Sequence, residues 1–319
     1  MPVSRRRTLL SLFSLTALLP LAALTARAQK PSGALRIGYQ KSSTLFTLIK
    51  ARGALEQRLA PLGVTVTWHE FTSGLPLLEA LNVGAIDLSA DVADTVPVFA
   101  QAAGAQLVYF AQEAPSPSAQ AIVVRADAPY KTVAELKGKK VALTKAAGSH
   151  YLLLAALDKA GLRFRDIEPS YLTPADGRAA FESGSVDAWV TWDPYLAAVQ
   201  RQSTVRILAD GRNLADYQRY YLAARSYADT HAAVLAQVFD ELRNTGHWVK
   251  QHPQEAAAQL APLWGVDART VELANSRRSY EVRQVQAQAL GEQQRIADAF
   301  YAEGLLPHKI DASALPLWR

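Results

Sequence analysis

The chain has 319 residues, half of them hydrophobic, with 34 lysines and arginines against 29 acids and no cysteine. The missing cysteine excludes disulfides, thiolate metal sites and a lipid-bearing cysteine. Four units of the formal charge of +5 sit ahead of residue 29, on Arg5, Arg6, Arg7 and Arg27; the remainder stands at +1, which excludes the basic stripe a nucleic-acid binder needs.

The first 28 residues read as an export signal peptide. Arg5, Arg6 and Arg7 form a positive start, residues 9–24 an apolar run, and Ala26-Arg27-Ala28 a small-x-small cleavage signal ahead of Gln29. The apolar run is short for a membrane span of roughly 20 residues and is followed by a cleavage site. The expectation is a soluble periplasmic chain, cleaved after Ala28. Ser4-Arg5-Arg6 partly resembles a twin-arginine signal, but Thr8 stands where a bulky apolar residue is usual, so both export routes stay open.

From residue 34 strands and helices alternate. Residues 35–39 are strand-like, 45–59 helical, and 64–70 strand-like with Val64, Val66 and Trp68 on one face. Residues 75–82 are helical, 86–89 a short buried strand, 97–103 helical and 106–111 a strand. Glu113-Ala114-Pro115-Ser116-Pro117-Ser118 breaks the pattern and reads as a connector. Strand candidates follow at 121–124, 141–144, 167–171, 188–191 and 205–207, with helices at 133–136, 151–160, 174–181 and 194–201 between them. Asp210-Gly211-Arg212-Asn213 is a second break, followed by a strand at 220–223. From 227 to 301 the chain is almost purely helical, most clearly at 232–251 and 253–263. This alternation predicts an α/β fold with parallel sheets covered by helices on both faces. The two breaks predict two lobes, 33–117 with 218–319 and 118–217, joined by two crossings that form a hinge.

Two stretches share one pattern. Residues 35–44 run from a strand through Lys41 into Ser42-Ser43-Thr44 and a helix; residues 140–149 run from a strand through Lys145 into Gly148-Ser149 and a helix. Gly84-Ala85-Ile86-Asp87 and Gly184-Ser185-Val186-Asp187 form a second matching pair. Two such units facing each other make a cleft with a helix N-terminus on each side. Free amides and the helix dipole make such ends anion sites. Ser42, Ser43 and Thr44 suit capping and hydroxyl donation, as does Ser149, while Gly148 admits close backbone approach. Lys41 and Lys145 are the candidate cationic contacts.

No catalytic or metal constellation appears. Asp91, Asp94 and Asp193 match no calcium loop, because its glycine and final glutamate are missing. His69, His150, His231, His247, His252 and His308 show no metal-ligand spacing, and there is no Gly-x-Ser-x-Gly elbow. No metal, no cofactor and no enzymatic activity are expected. Trp189 and Trp192, three apart on a strand, face opposite ways. Trp192, beside the Asp193-Pro194 turn, is the cleft candidate.

These residues carry a family resemblance. Ile37-Gly38-Tyr39-Gln40-Lys41, segments 78–87, 98–105, 115–118 and 136–142, and the run 180–195 resemble the periplasmic aliphatic sulfonate-binding proteins of ABC importers, within the wider nitrate, sulfonate and taurine receptor group. The resemblance covers nearly the whole mature chain. It implies a two-lobed periplasmic-binding-protein-like fold of type II, with two crossovers and a cleft between the lobes. It implies a monomer that captures a small-molecule sulfonate, closes, and delivers it to an ABC transporter membrane permease for sulfur uptake. Nitrate, taurine or a thiamine-precursor pyrimidine as ligand, and an enzyme on the same fold, are the competing readings.

The family's ligand positions fall here on Gln40, Lys41, Ser42 and Ser43, on Thr144, Lys145, Gly148, Ser149 and His150, and on Trp192 and Asp193. Asp91, Asp94, Thr95 and Ser118 complete the expected ligand set. The segment 88–97 departs from the family pattern: it is one residue longer and lacks the glycines, so specificity is expected there and at the Trp192-Asp193 turn. A sulfonate is fully ionised and offers three acceptor oxygens, so its site should consist of donors. An inward carboxylate among Asp91, Asp94 and Asp193 would instead pair an ammonium, as on an amino-sulfonate.

Overall fold

The computed structural model describes residues 33–319. The leader expected over 1–28, with its cleavage after Ala28, lies outside the described residues. In chain order the elements are β1 (Gly33–Gln40), α1 (Thr44–Arg52), α2 (Ala54–Leu59), β2 (Val64–Phe71), α3 (Gly74–Asn82), β3 (Leu88–Ser89), β4 (Val92–Ala93), α4 (Thr95–Ala102) and β5 (Leu107–Glu113). Then come β6 (Gln120–Arg125), β7 (Lys140–Leu143), α5 (Gly148–Lys159), β8 (Glu168–Tyr171), α6 (Pro174–Glu182), β9 (Ala188–Trp192), α7 (Tyr195–Gln202) and β10 (Val205–Asp210). The chain ends with β11 (Arg219–Ala224), α8 (Arg225–Thr230), α9 (Ala232–Gln251), α10 (Pro253–Trp264), α11 (Ala268–Ser276), β12 (Val282–Arg283) and α12 (Leu290–Ala302).

The strands form two sheets. The first runs β12-β5-β11-β3-β1-β2, with β4 paired to β11; the second runs β10-β6-β9-β7-β8. The chain passes from the first to the second between β5 and β6, and returns between β10 and β11. These crossings explain why the sheets are mixed rather than parallel as expected. β1, β2 and β3 are parallel, as are β7, β8 and β9, but the strands flanking the crossings enter from the opposite direction and pair antiparallel.

The two repeated units have matching construction. Asp87 accepts the Arg36 backbone N–H at 2.8 Å, and Asp187 accepts that of Lys140 at 2.9 Å. In return the backbone N–H of each aspartate donates to the carbonyl of the same strand residue, at 2.8 Å in both halves. Gly84 and Gly184 hold φ of 72° and 75°, a region that disfavours residues with a Cβ, so each can turn the chain from helix to strand.

Local differences from the expected elements have local causes. The helix expected over 45–59 divides at Gly53, whose left-handed φ of 62° ends α1 and starts α2. Residues 133–136 form a single 3-10 turn rather than an α-helix, closed by the Thr132–Glu135 capping box. The helical C-terminal region is interrupted by β12, which pairs with β5.

The first core gathers Leu35, Ile37, Phe46, Leu88 and Phe110 with Leu235 and Leu242 of α9. The second gathers Ile122, Val141, Leu152 and Val190, and also takes Val98 from α4 and Ile296 and Phe300 from α12. Thus α9, α10 and α11 belong to the side of the first sheet, while α12 lies against both α4 and α5. No helix among the described residues is long and apolar enough to cross a membrane.

Candidate functional site

The two halves meet over a narrow pocket. The first half contributes Gln40 from the end of β1, Ser73, Gly74 and Leu75 from the start of α3, Ala93 and Val96. The second contributes Thr144, Lys145, Ala146, Ala147 and Gly148 from the β7–α5 turn, and Trp192. Tyr217 and Arg219, on the returning crossing, close the back.

Each position has a local cause. The β7–α5 turn is held by Thr144, whose hydroxyl donates to the Leu172 carbonyl at 2.9 Å, and it passes through Ala146 at a φ of 60°. α5 then starts at Gly148, which lines the pocket, at the end of a helix where N–H groups lack the partners of the helix interior. A Cβ on Gly148 would overlap the Tyr217 ring and lie 3.1 Å from Ala93 Cβ, so only glycine lets the halves come this close. Trp192 ends β9 and packs edge-on against Tyr195, with ring centroids 5.7 Å apart. Gln40 is 7% exposed and makes no side-chain hydrogen bond among the described residues.

Of the expected ligand residues, the structure brings Gln40, Thr144, Lys145, Gly148 and Trp192 together in the pocket. The others do not line it. Lys41 is exposed and faces a separate surface hollow with Tyr39, Lys50, Glu70, Leu263 and Trp264. Ser43 turns back on its own loop, its hydroxyl accepting the Gln40 N–H at 3.3 Å, and the Ser42 carbonyl accepts from Arg278 at 3.4 Å. Ser118 is half-buried in the 3-10 turn Pro117–Ala119 of the outgoing crossing. Ser149 is fully buried behind the turn. His150 points into the second core, against Phe164 and Phe300, with Nδ1 accepting the Ala146 N–H at 3.3 Å. Burial, and secondarily Lys145, push its pKa down to about 3.

The three aspartates and Thr95 are engaged elsewhere. Asp94 accepts the N–H groups of Thr95 and Gln218, each at 3.0 Å, which ties α4 to the returning crossing. Burial pushes its pKa up to about 7, against the pull of those two donors. Thr95 Oγ1 donates to the Ala146 carbonyl at 2.5 Å, across the two halves. Asp193 accepts the Ala197 N–H at 3.0 Å and pairs with Arg277, and burial pushes it up to about 7 despite that arginine. Asp91 is paired with two arginines, Arg219 at 2.7 Å and Arg278 at 3.0 Å. None of these carboxylates lines the pocket, although Asp91 Oδ1 is buried without a partner among the described residues.

Sequence reasoning missed Leu75, Tyr217 and Arg219. The available signal for Arg219 was a charged residue abutting the apolar strand at 220–223, which is where a buried, paired guanidinium would appear. Arg219 Nη2 donates to Tyr217 Oη at 2.8 Å, and its Nε is buried without a partner among the described residues. The pocket is therefore walled by Trp192, Leu75 and Val96 and lined with donors at Gln40, α5, Arg219 and, at its edge, Lys145. Among the described residues, no group of three or more His, Asp or Glu side chains is placed to hold a metal.

Comparison with known proteins agrees with this architecture. Residues 62–256 match the family described as NMT1/THI5 like. An aliphatic sulfonates-binding protein of Escherichia coli strain K12 is 44% identical over 299 residues, 93% of each chain. The crystal structure of the periplasmic aliphatic sulphonate binding protein SsuA from Escherichia coli superposes with a TM-score of 0.82 at 44% identity, covering 90% of this chain and 92% of that one. The alkanesulfonate-binding protein SsuA from Xanthomonas axonopodis pv. citri, bound to MOPS, gives a TM-score of 0.83 at 40% identity, covering 89% and 97%.

Proposed function

Because the chain belongs to the NMT1/THI5-like family and, within it, to the group of the aliphatic sulfonate-binding proteins, we propose that it is a periplasmic solute-binding protein for aliphatic sulfonates. It captures the anion between lobes 33–117 plus 218–319 and 118–217, and hands it as a monomer to an ABC permease for sulfur uptake. Its leader is removed after Ala28.

The observation that carries this reading is the pairing of the α5 N-terminus at Gly148 with Arg219 across one pocket. Amides at a helix start favour an anion, and a buried guanidinium donates without offering an acceptor. A sulfonate's three oxygens take donors from α5, Arg219 and Gln40, while its alkyl chain lies against Trp192 and Leu75. The ligand binds and leaves unchanged, since no nucleophile or base with a partner faces the pocket among the described residues.

Isothermal titration with ethanesulfonate, taurine, nitrate and sulfate tests the reading. Saturable one-to-one binding of ethanesulfonate is expected, with taurine weaker because its ammonium finds no carboxylate lining the pocket. The absence of binding with every sulfonate overturns it.

A further inference from the structure

We propose that this pocket is built for singly charged anions, and that the buried cluster Asp91–Arg219–Arg278–Glu113 is the device that rejects dianions such as sulfate. This rests on the sulfonate reading above and deepens it. Arg219 is the cation at the back of the pocket, and it does not stand alone. Its Nη1 donates to Asp91 Oδ2 at 2.7 Å. The same oxygen accepts from Arg278 Nη2 at 3.0 Å, which also reaches Glu113 Oε2 at 2.6 Å. Tyr221 completes the shell by donating to Glu113 Oε1 at 2.7 Å. All four charged side chains are at most 3% exposed.

Two guanidiniums and two carboxylates leave the cluster with no net charge. The other buried charges near the pocket cancel or add no cation, and the one further cation lining it, Lys145, stands in solvent that screens its charge. Arg277 is balanced by Asp193, and Asp94 is acidic. Lys145 is exposed at the edge. The pocket therefore supplies oriented donors without an uncompensated buried cation. A monoanion keeps its charge-assisted hydrogen bonds there. A dianion loses the hydration of a second charge and gains no buried countercharge for it, a loss that grows steeply in a poorly solvated site. Sulfonate and sulfate present nearly the same oxygen tripod, so shape alone separates them poorly; charge balance separates them without a steric filter. Asp91 and Arg278 are thus positioning and charge-balancing residues that act through Arg219.

Titration calorimetry compares ethanesulfonate with sulfate on the wild type, on Asp91→Asn and on the control Asp210→Asn, whose carboxylate pairs with the exposed Arg212 away from the pocket. The wild type should prefer ethanesulfonate at least a hundredfold. Asp91→Asn should shrink that ratio at least tenfold by gaining sulfate affinity, a change in selectivity that loss of structure alone does not produce; Asp210→Asn should leave it unmoved. The wild type alone provides an arm independent of that variant's folding. Methyl phosphate, which loses its second proton near pH 6, should bind at least tenfold more weakly at pH 8 than at pH 5, relative to ethanesulfonate at the same two values. Equal binding of mono- and dianionic methyl phosphate, or an unchanged ratio in folded Asp91→Asn, overturns the inference while leaving ethanesulfonate binding intact. Failure of ethanesulfonate itself removes the receptor reading on which it rests.

Discussion

Arg277, just beyond α11, reaches across to Asp193 at the end of β9 and contacts both carboxylate oxygens, at 3.0 and 3.1 Å. The same guanidinium also donates to Gln200 on α7. One side chain thus joins the first half to the strand end and the helix that carry the Trp192 wall. The contact spans the two halves, so it holds them together beside the pocket. Hydrogen bonds to charged groups contribute about 1.5–3 kcal/mol. Arg277→Ala should weaken ethanesulfonate binding by roughly ten- to a hundredfold and also lower the melting temperature of the unliganded protein, because Asp193 is left buried without its cation. Titration calorimetry beside a thermal scan checks this; an unaltered Kd contradicts it.

Gly148→Ala tests the close approach. The added methyl meets the Tyr217 ring and Ala93, both from segments outside α5. The halves must then stop short of closure, and the α5 amides no longer reach the ligand together with Arg219. Affinity should fall at least about tenfold, the equivalent of 1.4 kcal/mol, with far-ultraviolet circular dichroism unchanged. Retained affinity would show that the site tolerates a wider gap.

Gly246→Ala tests packing far from the pocket. Its Cβ would overlap the Tyr280 carbonyl, a backbone atom that cannot rotate aside, in a residue already at a φ of 54°. Overpacking costs about 1–3 kcal/mol, and alanine recovers only about 1 kcal/mol of helix propensity. A net loss of up to about 2 kcal/mol in urea denaturation is expected, with sulfonate affinity preserved.

His150 sets an acid-side limit on stability. In the folded protein burial keeps it neutral down to about 3, against an ordinary value of 6.5. The unfolded chain therefore binds a proton that the folded chain refuses. This stability is fully present above pH 6.5 and is lost as pH falls toward 3, at up to about 1.4 kcal/mol per pH unit. Asp94 and Asp193, raised to about 7, act oppositely: what they contribute is present at acid pH and lost as pH rises from 3.8 through 7. Comparing His150→Gln with the wild type in urea at pH 6 and pH 4 isolates the histidine. The variant should lose less stability on acidification; identical slopes would refute the assignment.

Much of the frame was legible because it is local. The strand–turn–helix pattern around Lys145 and Gly148, and the Gly-x-x-Asp turns at Asp87 and Asp187, depend on residues near one another in sequence. The ends of the repeats were less legible. Lys41 and Lys145 follow matching strands, yet only Lys145 lines the pocket. The difference is tertiary: Arg278 and Tyr280, more than 230 positions away, occupy the space beside Ser42 and Thr44. Arg219 was visible only as a charge abutting an apolar strand, and its place in the pocket was hidden for the same reason. Its partners Asp91 and Arg278 are brought to it by strand insertion and by a distant loop, which no periodicity reports. Asp91, Asp94 and Asp193 were visible as acids, but whether each faced ligand, backbone or arginine depended on those long-range contacts.

The position of α12 affects the order in which the molecule can be completed. Ile296 and Phe300 pack in the second core beside Leu152 and Val98, and the Phe300 ring lies 4.9 Å from those of both Phe99 and His150. A chain emerging from its N-terminus has every strand of the second sheet by residue 210, yet the outer side of that sheet's helix layer stays uncovered for some ninety residues more. The last helix to be made is thus a lid on the middle of the sequence, and truncation before residue 290 would leave apolar surface on α4 and α5 bare to water in a chain that has otherwise already formed both its sheets.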